Sequence, residues 1–316
     1  MSSPLTRRPL GGTGLEVTPL CAGAAPLGSM PQEFGYETPV ERGIATVRAA
    51  FDSGINFLDT ANIYGAGESE RRIGAALSEI GGAPEGFVLA TKVDRDADSG
   101  DFSGDRMRRS AEESLQRLGV DRVPLLHLHD PEHISLAEAM APGGPVEALL
   151  RLRDEGVAEH VGLAGGPVGM MAELLREAPF EVLVTHNRWT LLDRSADGLI
   201  DEAVDRGVAV LNAAVFGGGL LAREPGASTR YAYREADAEV LDAARRMHDA
   251  CERYGVRLPA AALQFSVRDP RITSTVVGTS RPERIAETIR LAEQHVPEEL
   301  WAELLALAAP PERWQW

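Results

Sequence analysis

Lysine is almost absent from this 316-residue chain: of 32 basic residues, Lys92 is the only lysine and every other one is arginine. Arginine replaces lysine on most surfaces, but it cannot act as a compact, tunable ammonium in a buried site, so the exception draws attention to residue 92. Cysteine is scarce too. Cys21 and Cys251 are too few for a disulfide framework or a zinc site of their own. No 18 apolar residues run together, which excludes a bilayer-spanning helix, and Met1 to Glu16 has no apolar run of signal-peptide length. Basic residues never exceed two in a row, against 48 acidic residues and a net charge of −16. That balance argues against nucleic acid or an anionic membrane as partner. The expectation is a cytoplasmic protein whose partner is a small molecule.

What is present belongs to an ordinary folded globule, 44% hydrophobic and 25% charged. The length would suit two average domains, but an α/β barrel fills it as one, and no linker divides residues 1–316. Short β-rich apolar runs start near residues 20, 55, 87, 123, 160, 181, 208 and 273. Helix-period segments separate them. Pro39 to Asp52 sets Val40, Ile44, Val47 and Phe51 on one stripe; Ser103 can cap a helix that stops at Gly119, and Val146 to Glu155 stops at Gly156. Strand alternating with helix means βαβ units and a parallel sheet. Eight such units, with no G-x-G-x-x-G after the first strand, predict a closed (β/α)8 TIM barrel rather than an open sheet. Arg7 to Thr18 reads as an N-terminal β-hairpin, turning at Gly11 to Gly14, that closes the bottom of the barrel. Asp94 to Asp105 reads as a solvated loop, Gly217 to Asp237 as an active-site loop, and the tail from Pro310 as packed back on the body.

Chemistry in such a barrel sits at the C-terminal ends of the strands. After the second predicted strand come Asp59 and Tyr64, after the third Lys92, and at the end of the fourth His129-Asp130-Pro131. Tyrosine titrates near ~10 and is a poor acid–base catalyst alone. A nearby ammonium favours the phenolate, a carboxylate keeps that ammonium charged, and a neutral imidazole can orient an oxygen. The set moves protons in a carbonyl–alcohol interconversion and lacks an electron carrier. Taken singly, Asp59 could be a helix cap, Tyr64 a rim aromatic and His129 a structural histidine. The His127-x-His129 pair has no third ligand spaced for zinc, so no metal is expected.

Gly54-Ile-Asn-Phe-Leu-Asp-Thr-Ala-Asn-Ile-Tyr-Gly65, followed by Glu68, Arg71 and Gly74, resembles the first signature of the aldo-keto reductases. Lys92, His129 and the Gly278-Thr-Ser-Arg281 loop fall in place with it, and the likeness spans essentially the whole chain. The resemblance implies a catalytic tetrad of Asp59, Tyr64, Lys92 and His129, with Tyr64 the general acid/base. It also implies NAD(P) as electron carrier, extended across the barrel mouth. Cofactor contacts are then expected at His186, Phe216, Gly217, Gly278, Thr279, Ser280, Arg281 and Arg284. The last of these open a helix suited to phosphate, and the two arginines could fork onto a ribose 2′-phosphate, which favours NADP slightly over NAD. Ala164-Gly165-Gly166 stands where the family usually has Ser-Asn, His186 where it has glutamine, and Ala213 where it has a stacking tyrosine. Those changes resemble the branch that includes L-fucose, D-threo-aldose and pyridoxal dehydrogenases. Asp130, acceptor-only, suits the hydroxyls of an aldose oxidised to its lactone, unless it merely caps the segment that follows. Trp314 and Trp316 either reach the pocket rim to touch substrate or pack the tail. The competing function is a cofactor-binding regulatory subunit resembling potassium-channel β subunits.

Overall fold

Residues 3–315 are described by a computed structural model, and Trp316 lies outside the described residues. Eight parallel strands close into a barrel: β1 (Leu20–Gly23), β2 (Phe57–Asp59), β3 (Val88–Val93), β4 (Val123–His129), β5 (Ala158–Gly165), β6 (Val182–His186), β7 (Ala209–Ala213) and β8 (Ile272–Gly278). Each pairs with its neighbour in sequence, and β8 pairs with both β7 and β1 to close the ring. Every predicted strand is present, within three residues of its expected start.

The strands are buried on both faces, and the period of two sorts their side chains. Cys21, Phe57, Val88, Ala90, Leu125, Val182, Val184 and Leu211 fill the barrel; a second, larger apolar cluster lies between strands and helices. Leu10 and Val17 of the hairpin (Arg8–Pro9 paired with Glu16–Val17) join the inner cluster, so the ribbon plugs the bottom. The helices follow their stripes and caps. Val40–Phe51 buries Val47, and Gly104–Leu118 starts at Ser103, whose Oγ accepts the Arg106 N–H at 3.2 Å. Gly119, at φ +70°, ends that helix. Among the described residues no helix is long and apolar enough to cross a membrane.

Two loops depart from expectation or sharpen it. The segment after β3 is not solvated throughout: Ala97 to Gly100 are exposed, but Asp94 is buried because it continues the inward-facing series of Val88, Ala90 and Lys92. Gly217 to Asp237 folds into a 3-10 turn at Gly217–Ala222 and a small ribbon pairing Arg230–Tyr231 with Arg234–Glu235. The ribbon's turn carries Tyr233 onto Phe34, ring centroids 6.2 Å apart and nearly perpendicular.

Candidate active site

The inward period delivers Asp59, Lys92 and His129 to the top of the barrel from three adjacent strands, and the loop after β2 brings Tyr64 back over them. That loop is tightly seated. Gly65, at φ +60°, lies so close to the Gly28 carbonyl that a Cβ would fall 2.0 Å from its oxygen, so any side chain here would lift the Tyr64 turn. Lys92 Nζ donates to Asp59 Oδ1 at 2.6 Å, to the Thr60 carbonyl at 2.6 Å and to Tyr64 Oη at 3.3 Å. The tyrosine ring meets His129 edge-on at 5.6 Å. Asp59 is not a helix cap, since the next helix, Glu68–Ile80, begins after Gly67.

Electrostatics in this dry corner refine the sequence reading. Burial works against the Lys92 ammonium, but Asp59 and Tyr64 outweigh it and hold its pKa above the ordinary value. Burial pushes the Tyr64 phenol up as well. Lys92 pulls it down, Asp59 and Asp130 push it further up, and the net direction is upward. The expected lowering by Lys92 is therefore real but smaller than the burial effect, because the ammonium is largely neutralised by Asp59. For His129 burial favours the neutral ring, yet Asp130 and Asp94 outweigh burial and the opposing Lys92, so its pKa is raised. The imidazole is thus protonated to higher pH than the neutral role expected of it. His127, by contrast, is fully buried, pushed well down by burial and without a hydrogen-bond partner at either ring nitrogen.

A cleft of about 440 Å³ opens above these residues, lined also by Asp130, Ala164, Gly165, His186 and Ala213. All three departures from the family's nicotinamide contacts therefore face it. Asp130 adopts left-handed backbone geometry (φ 44°) and makes no side-chain cap to the turn that follows. Its Oδ1 lies instead 3.6 Å from His129 Nε2. Burial raises the Asp130 pKa, but His129, His186 and His133 more than offset it, so the group stays ionised. His186 is held neutral, its pKa lowered to about 4 chiefly by burial. With the Asn187 amide donating to its Nδ1 at 3.1 Å, the ring proton sits on Nε2. Asp130, Glu132 and His186 bring polar atoms within 4.8 Å of one another, close enough to hold a metal ion, and of the three Asp130 and His186 line the cleft.

A second cavity of about 370 Å³ shares Pro26, Phe34, Ala214, Tyr233 and Gly278 as walls and continues past Phe216 to Ser280, Arg281 and Arg284. A Cβ on Gly278 would reach 3.3 Å from Pro26 and narrow the passage between them. The trough ends at the start of the helix Pro282–Glu293, whose first-turn N–H groups favour an anion. The two cavities and the helix start fit an extended dinucleotide, and Arg281 and Arg284 are the residues that would hold its phosphates. Thr279 stands behind that loop, its Oγ1 donating weakly to the Arg281 carbonyl at 3.4 Å. Gly217 lines neither cavity: Gly218 and Gly219 face the trough instead, and Gly217 packs on Tyr231, whose ring a Cβ there would strike.

Trp314 is not at the cleft. Its Nε1 donates to the Ala309 carbonyl at 2.8 Å, and it lines a separate polar hollow with Arg188 and Tyr231. Gln315 fixes the tail against the loop after β6: its N–H donates to Asp193 and its carbonyl accepts from Arg188 and Ser195. Sequence reading missed Asp94, whose Oδ1 lies 2.6 Å from His129 Nδ1. The signal was its place two residues after Lys92 on an alternating strand.

The chain matches the Aldo/keto reductase family over residues 19–309. It is 34% identical to pyridoxal 4-dehydrogenase of Microbacterium luteolum, covering 94% of this chain and 96% of that protein. It is 34% identical to D-threo-aldose 1-dehydrogenase of a Pseudomonas species (92% and 94% covered) and 32% identical to L-galactose dehydrogenase of Arabidopsis thaliana (98% and 96%). In fold it resembles an aldo-keto reductase of Bacillus halodurans solved in its holo form. That likeness has a TM-score of 0.79 at 23% identity and covers 96% of each chain.

Proposed function

The chain belongs to the aldo/keto reductase family and is a nicotinamide-dinucleotide-dependent oxidoreductase, and from that premise we propose that it oxidises a hydroxylated aldose at its anomeric carbon to the lactone, or reduces the corresponding carbonyl, with Tyr64 passing the proton. The observation that carries the reading is the convergence of Lys92 on both Asp59 and the Tyr64 hydroxyl in a cleft that His129 also faces. When bound, the cofactor supplies a hydride acceptor or donor at its nicotinamide ring. This chain's residues do the rest. Tyr64 Oη takes the hydroxyl proton in oxidation and returns it in reduction; Lys92 stabilises the phenolate and Asp59 keeps Lys92 charged; His129 holds the reacting oxygen by donating its Nε2–H. Asp130, with His186 beside it in the cleft, receives the remaining hydroxyls, and an acceptor there supports a sugar over an apolar aldehyde. Arg281 and Arg284 support NADP, with NAD accepted as well. The relatives reported above are dehydrogenases, so a purely regulatory, channel-subunit role is not favoured.

The test is turnover of a panel of aldoses, pyridoxal and simple aldehydes in both directions, repeated with Tyr64→Phe. The variant is expected to lose turnover by at least ~100-fold while binding cofactor normally. Full turnover by Tyr64→Phe on the best substrate would overturn its role.

A further inference from the structure

Of the buried carboxylates that the mechanism above does not use, one touches His129. Asp94 is 3% exposed and sits one step beyond the end of β3, on the same inward period as Lys92. Its two oxygens serve two different catalytic elements. Oδ1 lies 2.6 Å from His129 Nδ1, while Oδ2 accepts the Ile63 backbone N–H at 3.0 Å, one residue before Tyr64. The carboxylate is itself held from behind. The Asp94 N–H donates to Ser110 Oγ at 2.9 Å, and its carbonyl accepts from Arg106 Nε at 3.1 Å. Arg106 makes a two-pronged contact with Glu113 and reaches the Asn62 amide oxygen at 3.2 Å, on the same turn that carries Tyr64.

We propose that Asp94 is a positioning residue for the carbonyl–alcohol chemistry: its carboxylate fixes His129 Nδ1 as a donor, keeps Nε2 facing the cleft, and references the imidazole and the Tyr64 turn to one anchor. The inference rests on the catalytic reading given above, which assigns His129 and Tyr64 to the reacting oxygen. The chemistry of the acceptor carries it. An ionised carboxylate has no proton to donate, so the nitrogen facing it must donate; in the charged ring that the carboxylates favour, the Nε2–H is then left to donate to the reacting oxygen. A free imidazole has no such preference strong enough to fix its ring, and a fixed one is what a near-attack geometry requires.

His129 is faced by several charged or titratable groups. Asp94 stands at Nδ1 and Asp130 at Nε2; Lys92, Tyr64, His127, His186 and Glu132 surround the remaining sides. Of the two carboxylates that favour its cation, only Asp94 is also hydrogen-bonded to the ring at 2.6 Å. Removing the Asp94 charge is therefore expected to lower the pH at which His129 titrates, with Asp130 keeping part of the elevation.

The experiment is ¹⁵N NMR of the histidine side chains in the whole protein without substrate, across pH, with His129 assigned by its loss in His129→Asn. In the wild type His129 is expected to show protonated Nδ1 and to titrate above an ordinary histidine. In Asp94→Asn, whose amide oxygen cannot accept from both His129 and Ile63, the titration midpoint falls and both tautomers appear. The variant's kcat falls at least tenfold while the Kd for the nicotinamide dinucleotide, read by fluorescence, changes less than twofold. A wild-type His129 carrying its neutral proton on Nε2 overturns the proposal, and that measurement needs no variant to fold. An Asp94→Asn spectrum identical to wild type also overturns it. Failure of the catalytic reading shows itself separately, as a Tyr64→Phe enzyme with full turnover.

Discussion

Lys92 Nζ lies 2.6 Å from Asp59 Oδ1, and both side chains are almost completely removed from water. The pair is the electrostatic base of the cleft, and its geometry explains why the chain's one lysine is here. A guanidinium would need room for a planar fork where three donors of one small ammonium already reach Asp59, Thr60 and Tyr64.

Replacing Lys92 with methionine leaves Asp59 buried, ionisable and unpaired, with its Oδ2 already lacking a hydrogen-bond partner. The expected loss of stability is about 3–5 kcal/mol, together with loss of turnover. The double variant Lys92→Met/Asp59→Asn should regain most of the stability and none of the activity. Urea unfolding of both variants checks this, and a double variant as unstable as the single one would contradict the pairing.

The raised pKa of Tyr64 sets a direction for pH dependence. A group whose pKa is raised stays protonated to higher pH, so the phenol is a ready donor for reduction at neutral pH. Oxidation needs it as proton acceptor, and the fraction able to accept grows about tenfold per pH unit below the pKa. Oxidation kcat should therefore climb from roughly pH 7 to 10 while reduction does not climb with it. An oxidation profile that is flat over that range would argue against Tyr64 as the group that titrates.

Asp130→Ala separates sugars from apolar aldehydes. A charge-assisted hydrogen bond of about 1.5–3 kcal/mol corresponds to roughly 10- to 150-fold in kcat/KM. An aldose should lose at least tenfold and a small apolar aldehyde little. Equal losses on both would remove Asp130 from hydroxyl recognition and leave it a neighbour of His129 alone.

Arg284 is exposed at the start of Pro282–Glu293 and lies 3.6 Å from Glu287, which also pairs with Arg257. Arg284→Ala should weaken NADP more than NAD by roughly 5- to 20-fold in kcat/KM, the scale of one exposed charge-assisted contact. A parallel loss with both cofactors would place the 2′-phosphate elsewhere.

The barrel and the clustering of Asp59, Lys92 and His129 at its rim were legible in the sequence because both are repeating, local signals. Alternating apolar runs mark strands, helical stripes and caps mark the segments between them, and strand ends mark the catalytic rim. The tail was the opposite case. Trp314 offered an aromatic near the chain's end, and only the contacts of Gln315 with Asp193, Arg188 and Ser195 decided that it lines a hollow beside the loop after β6 and not the cleft. Asp130 offered two roles from its neighbours in sequence; the backbone at φ 44° and the missing cap contact placed its carboxylate at the cleft.

The identities and the order of Asp59, Tyr64, Lys92 and His129 belong to the sequence alone, and period and spacing put three of them at one rim; the close seating of Gly65 on Gly28 brings Tyr64 over them. Their protonation belongs to the tertiary structure. Whether Lys92 lowers the Tyr64 pKa enough to beat burial, and whether His129 is neutral, depends on how much water each group loses and on which carboxylates stand within a few ångströms. Asp94 and Asp59 are 35 residues apart in the chain, yet both act on this one cluster. Desolvation and short-range Coulomb attraction depend on distance in space, and the closing of the barrel sets that distance.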